Sequence, residues 1–107
     1  MYLQEESIEL GCLKLIPESR KFFIGNKSVN LKNKEFTLMK YFMNNSGKVI
    51  SRARLLEEVW DRNIFCITNT VDVHVSKLRQ KINKHLKSDV IKTIHCVGYI
   101  FEIDNNY

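Results

Sequence analysis

The residues best suited to bind an anion lie together in Asn69 to Lys84, NTVDVHVSKLRQKINK. If this stretch is a helix of 3.6 residues per turn, its apolar side chains fall on one narrow face. These are Val71, Val75, Leu78 and Ile82. The other faces carry lysine, arginine, histidine, hydroxyl and amide side chains, which supply positive charge and hydrogen-bond donors. The pattern predicts a helix with its back in a core and its front open to something anionic.

Val73 is an apolar residue in the middle of this polar face. A helix that faces only water gains nothing from a valine there. A helix in the major groove of DNA does, because the thymine methyl group is an apolar target among hydrogen-bonding base edges. Val73 therefore favours a helix that reads DNA.

Catalytic and metal-binding patterns are missing from the sequence. Asp72 falls in the first turn, where a carboxylate suits the positive end of the helix dipole, so we expect a capping or orienting role. His95 and Cys96 are adjacent instead of spaced like zinc ligands, and neither Cys-x-x-Cys nor His-x-x-x-His occurs. There is no glycine-rich phosphate loop or paired-carboxylate motif. We expect no enzyme activity, no metal site and no cofactor.

Composition indicates one ordinary globular domain. The chain has 107 residues, with 17 Lys and Arg against 12 Asp and Glu, a net charge of +5. That balance suits nucleic acid or another anionic surface. Cys12, Cys66 and Cys96 are odd in number and far apart, which predicts a reducing cytoplasm. No run approaches the ~18 apolar residues of a membrane span, so we expect no membrane partner.

The N-terminal third has the pattern of short strands. Turn residues separate four segments, and Gly25-Asn26 is a two-residue hairpin signal. The predicted strands are Ile8–Leu10, Leu13–Ile16, Lys21–Ile24 and Ser28–Leu31. Residues 1–7 look like a tail or the end of a linker.

Two helical patterns follow. In the first, Asn33 can cap the start, and the apolar spacing predicts a buried face formed by Phe36, Met39, Phe42 and Met43. After a short extended piece, Ser51 can cap the second helix. Its inward-facing residues are expected to be Leu55, Leu56, Val59 and Trp60.

The segment Asp61 to Thr68 reads as a loop, yet it contains Ile64, Phe65 and Ile67. Loops are normally polar. Either these side chains fold back onto the core, or some of them form an exposed patch for a protein partner.

Past Ser88 the apolar period becomes two. Val90 to Ile94 and Tyr99 to Ile103 are predicted strands, with Tyr99, Phe101 and Ile103 on one face. His95 to Gly98 makes the turn, with Gly98 expected at positive φ. Two helices, a basic third helix and a hairpin predict a winged helix-turn-helix.

Four pieces of the chain carry a family resemblance: VNLKNKEFTLMKYF, GKVISRARLLEEVW, NTVDVHVSKLRQKI and IKTIHCVGYIFEI. From Ile8 to Ile103 the chain resembles the C-terminal effector domain of OmpR/PhoB-type response regulators. The resemblance implies an α+β winged helix-turn-helix: a four-stranded antiparallel N-terminal sheet, three helices and a C-terminal β-hairpin wing. It also implies sequence-specific binding of double-stranded DNA and regulation of transcription in a bacterial two-component phosphorelay.

Matched residue by residue, the resemblance assigns the recognition helix to residues 69–84 and the wing to residues 90–103. The recognition-helix positions expected at bases or phosphates are Thr70, Val73, His74, Ser76, Lys77, Arg79 and Lys81. The positions expected at the DNA backbone and wing are Trp60, Thr93, His95 and Tyr99. In some relatives the loop after the second helix contacts RNA polymerase, which here assigns that contact to Asp61, Arg62, Asn63, Ile64 and Phe65.

The family also implies an assembly. Its members bind direct-repeat half-sites as head-to-tail pairs, so we expect a monomer in solution and a tandem dimer on DNA. A phosphorylated receiver domain usually precedes the effector domain. We expect residues 8–104 to form the DNA-binding domain, with residues 105–107 as a tail. The chain is then either an excised effector domain or a stand-alone regulator.

Three positions depart from the family pattern. Asn69 stands where arginine is common, His95-Cys96 replaces a wing-tip Arg-Gly, and Lys32 replaces the threonine of a capping box. If His95 enters the minor groove, binding should tighten as pH falls through about 6.5, where imidazole gains its charge. Because the family's arginines are missing at Asn69 and His95, a second hypothesis stays open: the chain is a protein-interaction module of the same fold that no longer binds DNA.

Overall fold

A computed structural model describes residues 6–60 and 69–103 of the chain. Within these ranges, four strands are followed by three helices, with one strand between the first two helices and two strands at the end. The elements are β1 (Ile8–Leu10), β2 (Leu13–Ile16), β3 (Lys21–Ile24), β4 (Lys27–Ser28), α1 (Asn33–Asn44), β5 (Val49–Ser51), α2 (Arg52–Val59), α3 (Asn69–Asn83), β6 (Ile91–Ile94) and β7 (Gly98–Phe101). The predicted α+β class and order of elements are confirmed.

Strands β1 to β4 form an antiparallel sheet in sequence order. Alternate side chains of β2 and β3 enter the core, as the period of two requires. The Gly25-Asn26 hairpin is confirmed, with Ile24 opposite Lys27 and Gly25 at φ 59°. The fourth strand is shorter than predicted: it starts at Lys27 and ends at Ser28, although the Val29 N–H still donates to the Phe22 carbonyl oxygen on β3 at 2.8 Å.

The start of α1 differs from the prediction. Lys32, not Asn33, occupies the N-cap position, and Asn33 is the first residue of the helix. A lysine side chain has no acceptor, but the Glu35 carboxylate accepts a hydrogen bond from the Lys32 N–H at 2.9 Å. Asn33 Oδ1 instead accepts from Arg20 at 2.6 Å. One half of a capping box therefore stabilises this end without a capping side chain.

The apolar faces of α1 and α2 are part of the hydrophobic core. Phe36, Met39, Phe42 and Met43 are all buried, as the spacing predicted. Ser51 Oγ accepts from the Arg54 N–H at 3.0 Å, which confirms the predicted cap of α2. In α2 and just after it, Leu55, Val59 and Trp60 are buried, while Leu56 is only half-buried.

The terminal hairpin belongs to a three-stranded sheet in the order β5-β7-β6. Ile50 lies opposite Tyr99, and Ser51 lies opposite Gly98. The prediction of positive φ at Gly98 is wrong: Gly98 is in strand β7, and Cys96 has φ 62°. A Cβ atom on Gly98 would lie 2.0 Å from the Ile50 carbonyl oxygen. Glycine is needed here because β5 approaches so closely, not because of a turn.

Candidate nucleic-acid interface

Helix α3 is anchored along one side. The four predicted inward residues, Val71, Val75, Leu78 and Ile82, have no exposed surface. Burying a side chain of this size stabilises the fold by about 1.5–3 kcal/mol. The helix contacts both α1 and α2. This buried stripe fixes the rotation of α3 about its own axis, and so fixes which side chains face outward.

The outward face of α3 combines one apolar side chain with several polar ones. Val73 is 46% exposed, and Lys77 is exposed one turn further along. Asn69, Ser76 and Gln80 are also exposed and line a shallow depression with them. The face offers amide, hydroxyl and ammonium groups around an apolar centre, a set that can contact hydrogen-bonding edges and a methyl group together.

His74 lies beside this face with its ring held against the protein. Its Nδ1 is 2.8 Å from the Thr70 carbonyl oxygen, so Nδ1 carries the proton and donates it. The ring meets Trp60 edge to face, with centroids 5.1 Å apart. Trp60 itself is 7% exposed, which leaves little of its ring for another contact. These contacts fix the orientation of the imidazole.

Arg79 joins α3 to the hairpin. Its guanidinium donates to Thr93 Oγ1 at 2.9 Å and lies 5.5 Å from the centroid of the Tyr99 ring. Thr93 and Tyr99 are opposite each other on β6 and β7. The arginine therefore contacts both strands of the hairpin, and its positive charge lies between helix and hairpin.

Asp72 joins α3 to two further elements. Its carboxylate accepts hydrogen bonds from the Tyr99 hydroxyl on β7 and from Arg52 Nε, at 2.8 Å, at the start of α2. The Arg52 guanidinium also lies 5.2 Å from the Tyr99 ring centroid. Burial alone would raise the pKa of Asp72, but the bonds from Tyr99 and Arg52 outweigh it and hold the pKa below its ordinary value. Asp72 lies in the first turn of α3, as predicted, and its carboxylate bonds side chains of α2 and β7.

The turn of the hairpin projects from the fold. His95, Cys96 and Val97 are all exposed there. Cys96 adopts the left-handed conformation, which costs a residue with a Cβ roughly 1–2 kcal/mol. Cys96 thus stands at a position where glycine would adopt the backbone without this cost.

Comparison with known proteins identifies the family. The profile described as "Transcriptional regulatory protein, C terminal" matches residues 26–101. The chain belongs to this family. The transcriptional regulatory protein CusR of Escherichia coli K12 is 34% identical over 99 residues, which are 92% of this chain and 44% of CusR. SrrA of Staphylococcus aureus is 36% identical over 101 residues, 92% of this chain and 42% of SrrA. The chain thus spans less than half the length of these relatives.

Solved structures agree with the family assignment. The chain is similar to the Klebsiella pneumoniae RstA DNA-binding domain, solved in complex with the RstA box, with a TM-score of 0.80 and 26% identity. The likeness covers 91% of this chain and 97% of that one. The Escherichia coli CadC DNA-binding domain, 22% identical at a TM-score of 0.83, supports the fold. The resemblance to OmpR/PhoB-type effector domains is confirmed.

Two residues predicted at the interface of this family domain have other partners. The Lys81 ammonium lies 3.0 Å from the Asn30 carbonyl oxygen and 2.5 Å from Glu35 Oε1, so it faces α1 and the loop before it instead of the open side of α3. Tyr99 is 2% exposed, and its hydroxyl donates to Asp72. The Lys81 ammonium and the Tyr99 hydroxyl therefore both have partners within the protein. Matching to the family assigns these positions to the DNA interface but does not reveal such partners.

Four of the positions expected at bases or phosphates, Val73, His74, Lys77 and Arg79, differ in how far they reach into solvent. Val73 and Lys77 are exposed, whereas His74 and Arg79 are half-buried. His74 is held by Thr70 and Trp60, and Arg79 is held by Thr93. The hairpin lies beside α3 and does not cover its outward face.

Arg52 was not among the predicted site residues. It is the first residue of α2, directly after the Ser51 cap, and it bonds Asp72 on the neighbouring helix. A basic residue after a helix cap was the only available signal.

The predicted polymerase-contact residues lie outside the described part of the chain. The two interpretations of this loop, folded back on the core or forming an exposed patch, concern the same undescribed residues. These residues are Asp61, Arg62, Asn63, Ile64 and Phe65.

Residues 6–60 and 69–103 contain neither a metal-binding cluster nor a membrane-spanning helix. No group of three His, Cys, Asp or Glu side chains there is arranged to hold a metal ion. None of the helices in these ranges combines the length and hydropathy of a membrane span.

Proposed function

We propose that this domain binds double-stranded DNA with α3 in the major groove and the β6–β7 hairpin beside the backbone, and that it regulates transcription as the output domain of a response regulator. The observation that carries this proposal is the division of α3: one side is fully buried, and the opposite side presents Val73 and Lys77 to solvent. The RstA domain, of the same fold, is solved on its DNA box.

Affinity would come from phosphate contacts and specificity from the helix. Lysine and arginine displace counterions from phosphates, while side chains in the groove contact base edges. Exposed lysines continue beyond α3 and along the hairpin: Lys84, Lys87 and Lys92. With about five phosphate contacts, the logarithm of the association constant should fall with the logarithm of salt at a slope near −4 to −5.

One domain of this size buries only ~600–1,000 Å² on DNA, too little for tight specific binding alone. We therefore propose that two copies bind neighbouring direct-repeat half-sites and that the domain is a monomer without DNA. In the longer regulator, a receiver domain would control this step. We further propose a cytoplasmic location, no catalytic activity, and contact of residues 61–65 with RNA polymerase.

Fluorescence anisotropy tests the DNA-binding proposal. The 107-residue chain is titrated into a labelled mixed-sequence duplex at a series of salt concentrations, and a preferred sequence is then selected from a random duplex pool. We expect salt-sensitive binding and enrichment of a repeated motif. The absence of salt-sensitive binding at low salt would overturn the proposal and favour a protein-interaction module of the same fold.

A further inference from the structure

Asp72 is an acidic residue at the edge of a face that otherwise offers positive and neutral groups. It lines the same depression as Val73 and Lys77, and its side chain is 42% exposed. A carboxylate close to a DNA backbone is repelled by phosphates, so its charge alone would weaken binding. If Asp72 favours DNA binding, it must do so through its contacts within the protein and not through its charge.

The contacts of Asp72 attach the hairpin to α3. Tyr99 is buried in the hairpin, and its hydroxyl donates to the Asp72 carboxylate. The other side of the hairpin is held by Arg79, which donates to Thr93. The hairpin is thus attached to α3 at two positions about two helical turns apart, Asp72 in the first turn and Arg79 near the last turn. Two attachments restrict rotation of the hairpin about α3 more than either one does.

We propose that Asp72 is a positioning residue for DNA binding: through the Tyr99 hydroxyl it sets the angle between the hairpin and α3, so that both meet one duplex together. This inference rests on the proposed function. A hairpin already held at the right angle gives up less conformational freedom when DNA binds, so more of the contact energy appears as affinity.

Two substitutions at Asp72 separate positioning from charge. Asp72→Ala and Asp72→Asn remove the same negative charge, but the asparagine keeps a carbonyl oxygen that can accept from Tyr99. If charge alone matters, both variants bind DNA more tightly than the original chain, and equally. If Asp72 acts by position, Asp72→Ala weakens binding by about three- to tenfold, and Asp72→Asn restores most of the affinity.

The salt dependence supplies a second readout. Circular dichroism at each salt concentration gives the folded fraction, and dividing the apparent association constant by that fraction leaves the salt slope of the folded protein. A hairpin held at the wrong angle releases fewer counterions from the DNA backbone, so the slope becomes shallower by about one for each phosphate that it no longer reaches. Tyr99→Phe, which keeps the buried ring and removes only the hydroxyl, should give the same shallower slope. The double variant Asp72→Ala/Tyr99→Phe should bind no more weakly than Asp72→Ala.

Anisotropy is measured with the mixed-sequence duplex and with the duplex that the original chain selects. Glu102→Gln, which removes an exposed charge just after β7, is the matched charge control and should keep the original slope. Unchanged or tighter binding by Asp72→Ala, or an original slope in Tyr99→Phe, would overturn the positioning role while DNA binding stands. If the original chain does not bind either duplex, the proposed function fails first, and the inference fails with it.

Discussion

Lys81 Nζ lies 2.5 Å from Glu35 Oε1, and this ion pair joins α3 to α1. Glu35 is only 1% exposed, and it also accepts a hydrogen bond from the Lys32 N–H. Burial alone would raise the pKa of Glu35, but the bonds from Lys81 and Lys32 outweigh that effect and lower it. The helix that we propose to read DNA is therefore attached to α1 by an ion pair in which Lys81 stabilises the buried Glu35 carboxylate.

Lys81→Met should destabilise the fold strongly. It leaves the Glu35 carboxylate buried without its cation, and the removal of one partner of a buried pair costs about 3–5 kcal/mol. Because Lys81 is partly exposed, we expect a value near the lower end, about 3 kcal/mol, in urea unfolding at pH 7. Lys84→Met, at an exposed lysine just after α3, is the control and should stay within about 0.5 kcal/mol. Full stability of Lys81→Met together with a shallower salt slope would instead restore Lys81 to the DNA interface.

Glu35 should also make stability depend on pH in the acid range. Its pKa is lower folded than unfolded, so its contribution is fully present above the ordinary value of 4.5 and is lost as pH falls through the folded value. Asp72, with a lowered pKa of its own, adds a loss of the same sign. The free energy of unfolding, measured from pH 7 to 3, should fall below about pH 4.5. In Glu35→Gln the fall should be smaller than in the original chain, and an equal fall would contradict this account.

Gly98→Ala should disrupt the three-stranded sheet. The new Cβ would meet the Ile50 carbonyl oxygen at 2.0 Å, and the obstacle is backbone, which cannot rotate away. We expect a decrease of about 3 kcal/mol or more in the free energy of unfolding. Gly25→Ala is the matched control, because its Cβ has open space and meets only the strain of φ 59°, roughly 1–2 kcal/mol. Equal decreases in the two variants would refute the close-approach explanation.

The buried side of a helix could be predicted from the sequence, because it depends on the spacing of neighbouring residues. The apolar spacing of Val71, Val75, Leu78 and Ile82 was enough to identify the buried side of α3, since burial follows helical period. The role of Gly98 could not be found this way, because a glycine suits both a turn and a close approach, and the pairing of β5 with β7 joins segments 47 to 51 residues apart. Lys81 meets Glu35 across 46 residues, a distance over which helical period carries no information.

His95 provides a test at the tip of the hairpin. It is exposed there. If this side chain enters the minor groove, a guanidinium in its place, which is always charged, should strengthen binding. Anisotropy at pH 7 should show tighter binding by His95→Arg and weaker binding by His95→Glu than by the original chain. Equal affinity of all three proteins would exclude residue 95 from the groove.

Lys77 and Arg79 should fail in different ways, although they are two residues apart on α3. Lys77 is exposed beside Val73, so Lys77→Ala should cost about 1–3 kcal/mol on the selected duplex and relax the preference at one base position. Arg79 is bonded to Thr93, so Arg79→Ala should weaken binding to all sequences alike, with a shallower salt slope. Selection from a random pool with each variant separates the two effects. If neither variant changes affinity or preference, neither the exposed lysine nor the arginine that holds the hairpin contributes to DNA binding. This side of α3 would then not read DNA.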